Sequence, residues 1–390
     1  MENDYLKKML YTALIIMLAA TAVLVIYLLK QKKPAEKKTV EEKTATTSVT
    51  DTATSVTDTA SDGDSITQGF SAAEKQEYAE RYRKTVESQK YIIHALGGMN
   101  GTDNYINSID PLRLIYAKGY RLFEADVSFT SDGRLVLAHS GQGNVWTKSD
   151  WKDRLGQEYP FDNSSEAASS TTSASTAKAS ITDSSSTDAE STEDKHLCDY
   201  DTFMSFRIQK KYKATSFREL VGFMAEHKDM FVMIDGGERS FEDTKAYYSA
   251  VLNETREEVR ELSVGLTADE EDAILRDVLG RMVVGGQTIE MLNAVKEVYD
   301  FPLINFYYNS NEKREGELCK PIDFIHYCDD NGVSSFSVAK DVYDQQTAQA
   351  LEKSTLMSFV FTVNDPAEEA RINAYGADII GTDFLWDEQE

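Results

Sequence analysis

Five ionisable side chains sit within or just after short apolar runs, and their types suit the splitting of a phosphate ester. His94 ends the run Tyr91–His94, Glu124 and Asp126 lie in Leu122–Val127, His139 follows Arg134–Ala138, and Asp235 ends Phe231–Asp235. Charged groups are rarely buried in a core unless paired, so acids and imidazoles in these places point to a site. Glu124 and Asp126 are two residues apart, which on a strand puts both on one face. With Asp235 they offer three hard oxygen donors and no sulfur or nitrogen, a set suited to Mg²⁺ or Ca²⁺ rather than zinc. Taken singly, each acid could instead cap a turn or pair with Lys or Arg. Imidazoles titrate near neutrality, so His94 and His139 can serve as general base and general acid on a phosphodiester. Of the five histidines, His196 and His227 read as structural, one bordering a polar stretch and the other late in a helix. His326, in Phe324-Ile325-His326-Tyr327, reads as a partly buried packing residue.

These side chains need a scaffold, and the apolar pattern supplies one. Further short runs occur at Met282–Gly286, Leu303–Tyr307, Ser334–Val338, Met357–Thr362 and Asp378–Thr382. Between most of the runs lie segments of helical period, such as Pro111-Leu112-Leu114-Ile115-Ala117, Phe217-Leu220-Val221-Met224 and Ile289-Leu292-Val295-Val298. Strands alternating with helices imply parallel pairing through right-handed crossovers. Eight of them predict a closed (β/α)8 TIM barrel of the α/β class, with an open doubly wound sheet as the alternative. Arg134–Ala138 is an extra strand, joined to the second through the turn Ser131-Asp132-Gly133. No G-x-G-x-x-G follows the first strand, which weakens a dinucleotide reading. In a (β/α)8 barrel the chemistry gathers at the C-terminal ends of the strands, where the two histidines and three acids fall.

The ends of the chain and its composition add context. Acidic residues outnumber basic ones 66 to 41, for a net charge of −25, which argues against a nucleic-acid partner. Three cysteines are too few for a disulfide framework. Met9–Leu29 is uncharged and long enough as a helix to cross a hydrocarbon core, and it stays apolar beyond any signal-peptide cut. Residues 1–30 are therefore read as a single-pass membrane anchor. Residues 31–73 form a polar tether in which Thr47–Ala53 is repeated at once as Thr54–Ala60. Residues 74–390 form the barrel domain, interrupted by a Ser/Thr/Ala/Asp-rich insertion at 163–195 that is too polar to offset its ordering entropy by burial. The lysines after the span favour a cytoplasmic domain, whereas the polar tether suits an extracytoplasmic stalk. The tether tips the expectation towards the outside.

At the level of motifs, the stretch from His94 to Ser140 resembles the opening of the glycerophosphodiester phosphodiesterase family. The matching pieces are His94 with Gly97-Gly98, Asn107-Ser108, Glu124-Ala125-Asp126, Thr130-Ser131-Asp132-Gly133 and His139. Phe359–Pro366 and Gly376–Asp383 resemble the family's last two strands, so the likeness runs roughly from Lys90 to Trp386 apart from the insertion. The resemblance implies a TIM barrel with a divalent cation on Glu124, Asp126 and Asp235, and His94 and His139 as the acid–base pair. It also implies hydrolysis of a glycerophosphodiester to sn-glycerol 3-phosphate and an alcohol, the substrate's neighbouring hydroxyl attacking phosphorus and water opening the cyclic product. Three supporting groups of the family differ here. Ala95 stands where an Arg often follows the first His, Ser140 where an Asp commonly follows the second, and Gly237 where a Lys usually follows the third-strand acid. Arg239, Gln287 and Lys340 are the candidates to replace them at the substrate. Two other readings stay open: a lipid phosphodiesterase of the phospholipase C/D-like type, and a membrane-tethered binding scaffold with weakened catalysis.

The topology can be checked directly. Single cysteines placed in the tether of intact cells should react with an impermeant thiol reagent, and labelling only after lysis would put the domain in the cytoplasm.

Overall fold

Along each strand of the sheet, residues alternate between two environments, and this alternation builds the scaffold. A computed structural model describes residues 69–139, 198–237, 239–308, 313–314 and 317–387, all within one compact unit, Gly63–Glu390. The apolar span Met9–Leu29, residues 31–68 of the tether, the insertion and His196 lie outside the described residues; at the tether's end Phe70 is buried in the core and Ser71 caps a helix. Among those described, no helix is long and apolar enough to cross a membrane.

The main strands are β1 (Tyr91–Ile93), β2 (Leu122–Phe129), β3 (Phe231–Asp235), β4 (Met282–Gly286), β5 (Leu303–Tyr307), β6 (Ser335–Ala339), β7 (Met357–Phe361) and β8 (Ile379–Thr382). Each pairs in parallel with the next in chain order, and β8 returns to β1. The sheet therefore closes into an eight-stranded barrel, and the open-sheet alternative is excluded. The short strand Leu135–Leu137 pairs antiparallel with β2, as the Ser131-Asp132-Gly133 turn suggests.

Outward residues such as Phe123, Val232, Val284, Phe306, Phe336 and Val360 pack under the helices in one large cluster. Inward residues, among them Ile92, Leu122, Phe231, Val283, Leu303, Met357 and Ile379, form a second cluster inside the barrel. Hydrogen-bonding caps start the helices between strands: Ser108, Ser216, Ser240, Thr288, Asp344 and Asp365 each accept from a backbone N–H of the first turn. His227 ends the helix Phe217–Glu226, its ring against Tyr116 and Phe223, a structural place in keeping with the sequence. His326 corrects its expectation. It is exposed, because Phe324, Ile325 and Cys328 turn the apolar face of their helix inward and leave His326 on the opposite side.

A helix that sequence periodicity did not single out, Ala72–Ser88, precedes β1. Its Tyr82 and Val86 belong to the inner cluster with Phe231 and Leu303, near the N-terminal ends of the strands, so this helix closes the floor beneath the barrel. Tyr82 is 2% exposed, lies 5.4 Å from the Phe231 ring and hydrogen-bonds Ser335. Truncating it should leave a cavity under the barrel. Tyr82→Ala is expected to lower the unfolding free energy by about 3–5 kcal/mol in chemical denaturation, whereas Tyr82→Phe, which loses only a hydrogen bond, should cost about 1 kcal/mol.

Candidate active site

Inward positions near the C-terminal ends of β2 and β3 bring the three acids together. Glu124 and Asp126 point into the barrel from β2, and Asp126 stands in register with Asp235 on β3. One carboxylate oxygen from each of the three lies within 4.8 Å of the others. Backbone and amide donors hold them in place. The Ala95 N–H donates to Glu124 Oε2 at 2.8 Å, and the Gly237 N–H donates to Asp235 Oδ1 at 2.7 Å. Asn107 clamps Asp126 reciprocally, its Nδ2 donating to Oδ2 at 2.7 Å while its Oδ1 accepts from the Asp126 N–H at 3.0 Å.

The two histidines flank this trio. His94 Nε2 lies 3.9 Å from Glu124 Oε2, and His139 Nε2 lies 3.9 Å from Asp126 Oδ1. His94 Nδ1 donates to Asp383 Oδ1 at 2.8 Å; a carboxylate only accepts, so that nitrogen carries the hydrogen and Nε2 is turned to the acids. Asp383 is itself held by Asn364 Nδ2 at 2.8 Å, and its carbonyl accepts from Trp386 Nε1 and from Gly98 N–H. The Tyr105 ring stands edge-on between the two imidazoles, 5.0 Å from each centroid.

The loop after β1 is under backbone strain. Ala95, Leu96, Asn100, Tyr105 and Asn107 all have φ between 47° and 58°, a region that costs a non-glycine residue roughly 1–2 kcal/mol. Gly97, at φ 109°, has no alternative: a Cβ there would sit 2.1 Å from Ile115 Cδ1. Such strain persists only where neighbours over-determine it, and here Ala95, Asn107 and Gly98 are tied to the carboxylates and to Asp383.

Electrostatics follow from this crowding. Burial, then the charge of Asp126, pushes the Glu124 carboxyl well above its usual range, against the pull of His94. Burial and Asp126 likewise raise Asp235, with the Gly237 N–H opposing. For His94, burial acts to lower the pKa, but the Asp383 hydrogen bond and the charges of Glu124, Asp383 and Asp126 outweigh it and raise it to about 9. A site whose acids resist ionising without a counter-charge is suited to a divalent cation. The donors are all oxygen, and Glu124 Oε1 is buried without a partner among the described residues. The residues therefore fit Mg²⁺ or Ca²⁺.

The other three candidates have different surroundings. Arg239 follows β3 with its guanidinium over the Tyr247 ring at 4.2 Å, and burial depresses its pKa. Gln287 is half-buried directly after β4. Lys340 does not join the acids: its ammonium is 3.2 Å from Asp341 and 3.5 Å from Glu368. Sequence reasoning passed over Tyr105, Asn364 and Asp383. Only Asp383 left a signal, as an acid directly after the last strand.

The sequence profile of the glycerophosphoryl diester phosphodiesterase family matches residues 100–386, a span that begins after His94. No curated protein matches the chain. Among solved structures, a candidate glycerophosphodiester phosphodiesterase from Galdieria sulphuraria is similar at 14% identity and a TM-score of 0.50, covering 76% of this chain and 94% of its own. An Oleispira antarctica phosphodiesterase in complex with the product sn-glycerol 3-phosphate is similar at 12% identity and a TM-score of 0.48, covering 78% and 97%. A Thermotoga maritima glycerophosphodiester phosphodiesterase is similar at 15% identity and a TM-score of 0.44, covering 76% and 96%.

The His94–Asp383 bond sets a pH dependence in chelator-treated protein. Its folded pKa of about 9 exceeds the unfolded value of ~6.5, so its contribution to stability is complete below that unfolded value and is lost as pH rises through 9. NMR titration of the metal-free protein should find one imidazole titrating near 9, and Asp383→Asn should lower that value. A normal pKa for His94 in the parent would contradict the geometry.

Proposed function

The chain belongs to the glycerophosphoryl diester phosphodiesterase family and is a phosphoric diester hydrolase; on that premise we propose that it converts glycerophosphodiesters to sn-glycerol 3-phosphate and an alcohol with the aid of a divalent cation. The observation that carries this reading is the carboxylate trio, with an imidazole Nε2 at 3.9 Å on either side. Glu124, Asp126 and Asp235 would hold the cation, Mg²⁺ or Ca²⁺, which when bound would offset charge on the phosphoryl oxygens. Asp383 holds the His94 ring so that Nε2 meets the substrate. His139, more exposed, approaches from the hairpin side. One imidazole accepts the proton of the substrate's attacking glycerol hydroxyl, and the other protonates the leaving alcohol. Water then opens the cyclic phosphate with the two roles exchanged. Arg239 and Gln287, on neighbouring strands, are placed to meet the rest of the substrate, whereas Lys340 is committed to Asp341 and Glu368. The apolar span Met9–Leu29 supports a membrane tether, and the polar composition of the tether supports a barrel outside the cytoplasm that acts on headgroup-derived diesters; labelling at the tether tests that arrangement.

Turnover of glycerophosphocholine should vanish with a chelator and return with Mg²⁺ or Ca²⁺. Glu124→Gln and Asp126→Asn should raise the cation concentration needed for half-activity. His94→Ala and His139→Ala should each slow turnover by ~10²–10⁴-fold with the fold intact, and the parent's pH–rate curve should be bell-shaped. Turnover that survives loss of both histidines would overturn the mechanism. Tight ligand binding without any turnover in the parent would instead identify a binding scaffold.

A further inference from the structure

The inner face of β5 looks across the barrel at the site and carries two polar side chains that the chemistry above does not use. Asn305 is fully buried, and its Oδ1 accepts from Ser335 Oγ at 2.8 Å and Ser337 Oγ at 3.0 Å. Its Nδ2 donor has no partner among the described residues. One inward position further along, at the C-terminal end of the strand, Tyr307 is 6% exposed, and its hydroxyl is likewise buried without a partner among the described residues. The ring is anchored in the inner apolar cluster with Met233 and Phe359, so its oxygen is carried at the level of the strand ends.

Like Glu124, Asp126 and Asp235, Tyr307 is an inward residue near the C-terminal end of its strand, so it belongs to the same end of the barrel interior as the acids. Burial, and then the charges of Asp235 and Glu124, hold its proton far above the ordinary tyrosine range. It therefore remains a donor. A buried hydroxyl left unsatisfied costs ~1–3 kcal/mol, and a donor next to carboxylates that accept nothing from it calls for another acceptor. A phosphate ester seated at those carboxylates brings anionic oxygens to that place.

We propose that the Tyr307 hydroxyl donates a hydrogen bond to a non-bridging phosphoryl oxygen of the bound ester, an inference that rests on the phosphodiesterase reading above. Such a donor is fixed before substrate arrives and strengthens as charge gathers on phosphorus.

Tyr307→Phe in the full chain removes the oxygen alone and leaves the ring in its cluster. The expected result is a kcat/KM for glycerophosphocholine lower by about 10- to 100-fold, the usual worth of a hydrogen bond to a charged acceptor. Calorimetry of Mg²⁺-loaded protein should show weaker glycerol 3-phosphate binding, while the melting temperature is unchanged or higher because a buried unpaired hydroxyl is gone. A purely structural hydroxyl would give the reverse: lower melting temperature with unchanged kcat/KM and affinity, which overturns the proposal. If the parent binds glycerol 3-phosphate but turns over no diester, the hydrolytic reading fails, and the affinity ratio of parent to variant still decides the role of Tyr307. A parent that neither binds nor turns over would overturn both.

Discussion

The mutual repulsion of three buried carboxylates is the constraint on which the rest of the site depends. At separations no greater than 4.8 Å, each ionised pair opposes the other by at least about 3–4 kcal/mol, even at an effective dielectric of ~20. The protein meets this in part with fixed donors: the Ala95 and Gly237 N–H groups and the Asn107 amide each point at one acid. These orient the acids without neutralising them, and burial together with the charge of Asp126 keeps the carboxyls of Glu124 and Asp235 above their usual range. A divalent cation is the direct chemical answer to that excess, and it also suits a reaction on an anionic substrate.

The donors bind distant parts of the chain to one centre. Ala95, Gly98 and Asn107 all come from the strained loop after β1, and they reach respectively to β2, to the segment after β8, and again to β2. Barrel closure makes this possible by setting β1 between β8 and β2. His94 thereby gains Asp383, an acid 289 residues away in sequence. Loss of barrel closure would therefore scatter the metal ligands and the histidine's orienting partner together. Strain in the loop and crowding of like charge are both costs to folding. The apolar layers above and below, with Tyr82 at the floor and Phe306 and Phe336 outside, offset them.

Several features were legible in the residues alone. The run-and-period pattern marked all eight strands within a residue or two, because an inward–outward alternation on parallel strands must repeat apolar residues at fixed spacing. The five central ionisable residues stood out because charge at the end of an apolar run has few structural uses. His326 misled because its neighbours are apolar: on a helix, adjacent residues face different sides, so Phe324 and Ile325 turn inward while His326 does not. Lys340 was proposed from its place after β6, but its long side chain turns to the nearer acids Asp341 and Glu368.

Sequence by itself determined the fold class, the strand ends and the residue types of the site, since each of these is local: periodicity, caps and chemistry are carried by neighbours in the chain. Tertiary structure alone decided which groups complete that site. Asp383 acquires meaning only when β8 lies beside β1. Tyr105 matters only because a left-handed backbone places its ring between two imidazoles. Tyr307 matters only because closure of the barrel turns the inner face of β5 towards acids on the far wall. No local pattern carries that information, because contact between residues hundreds of positions apart is set by the closing of the sheet.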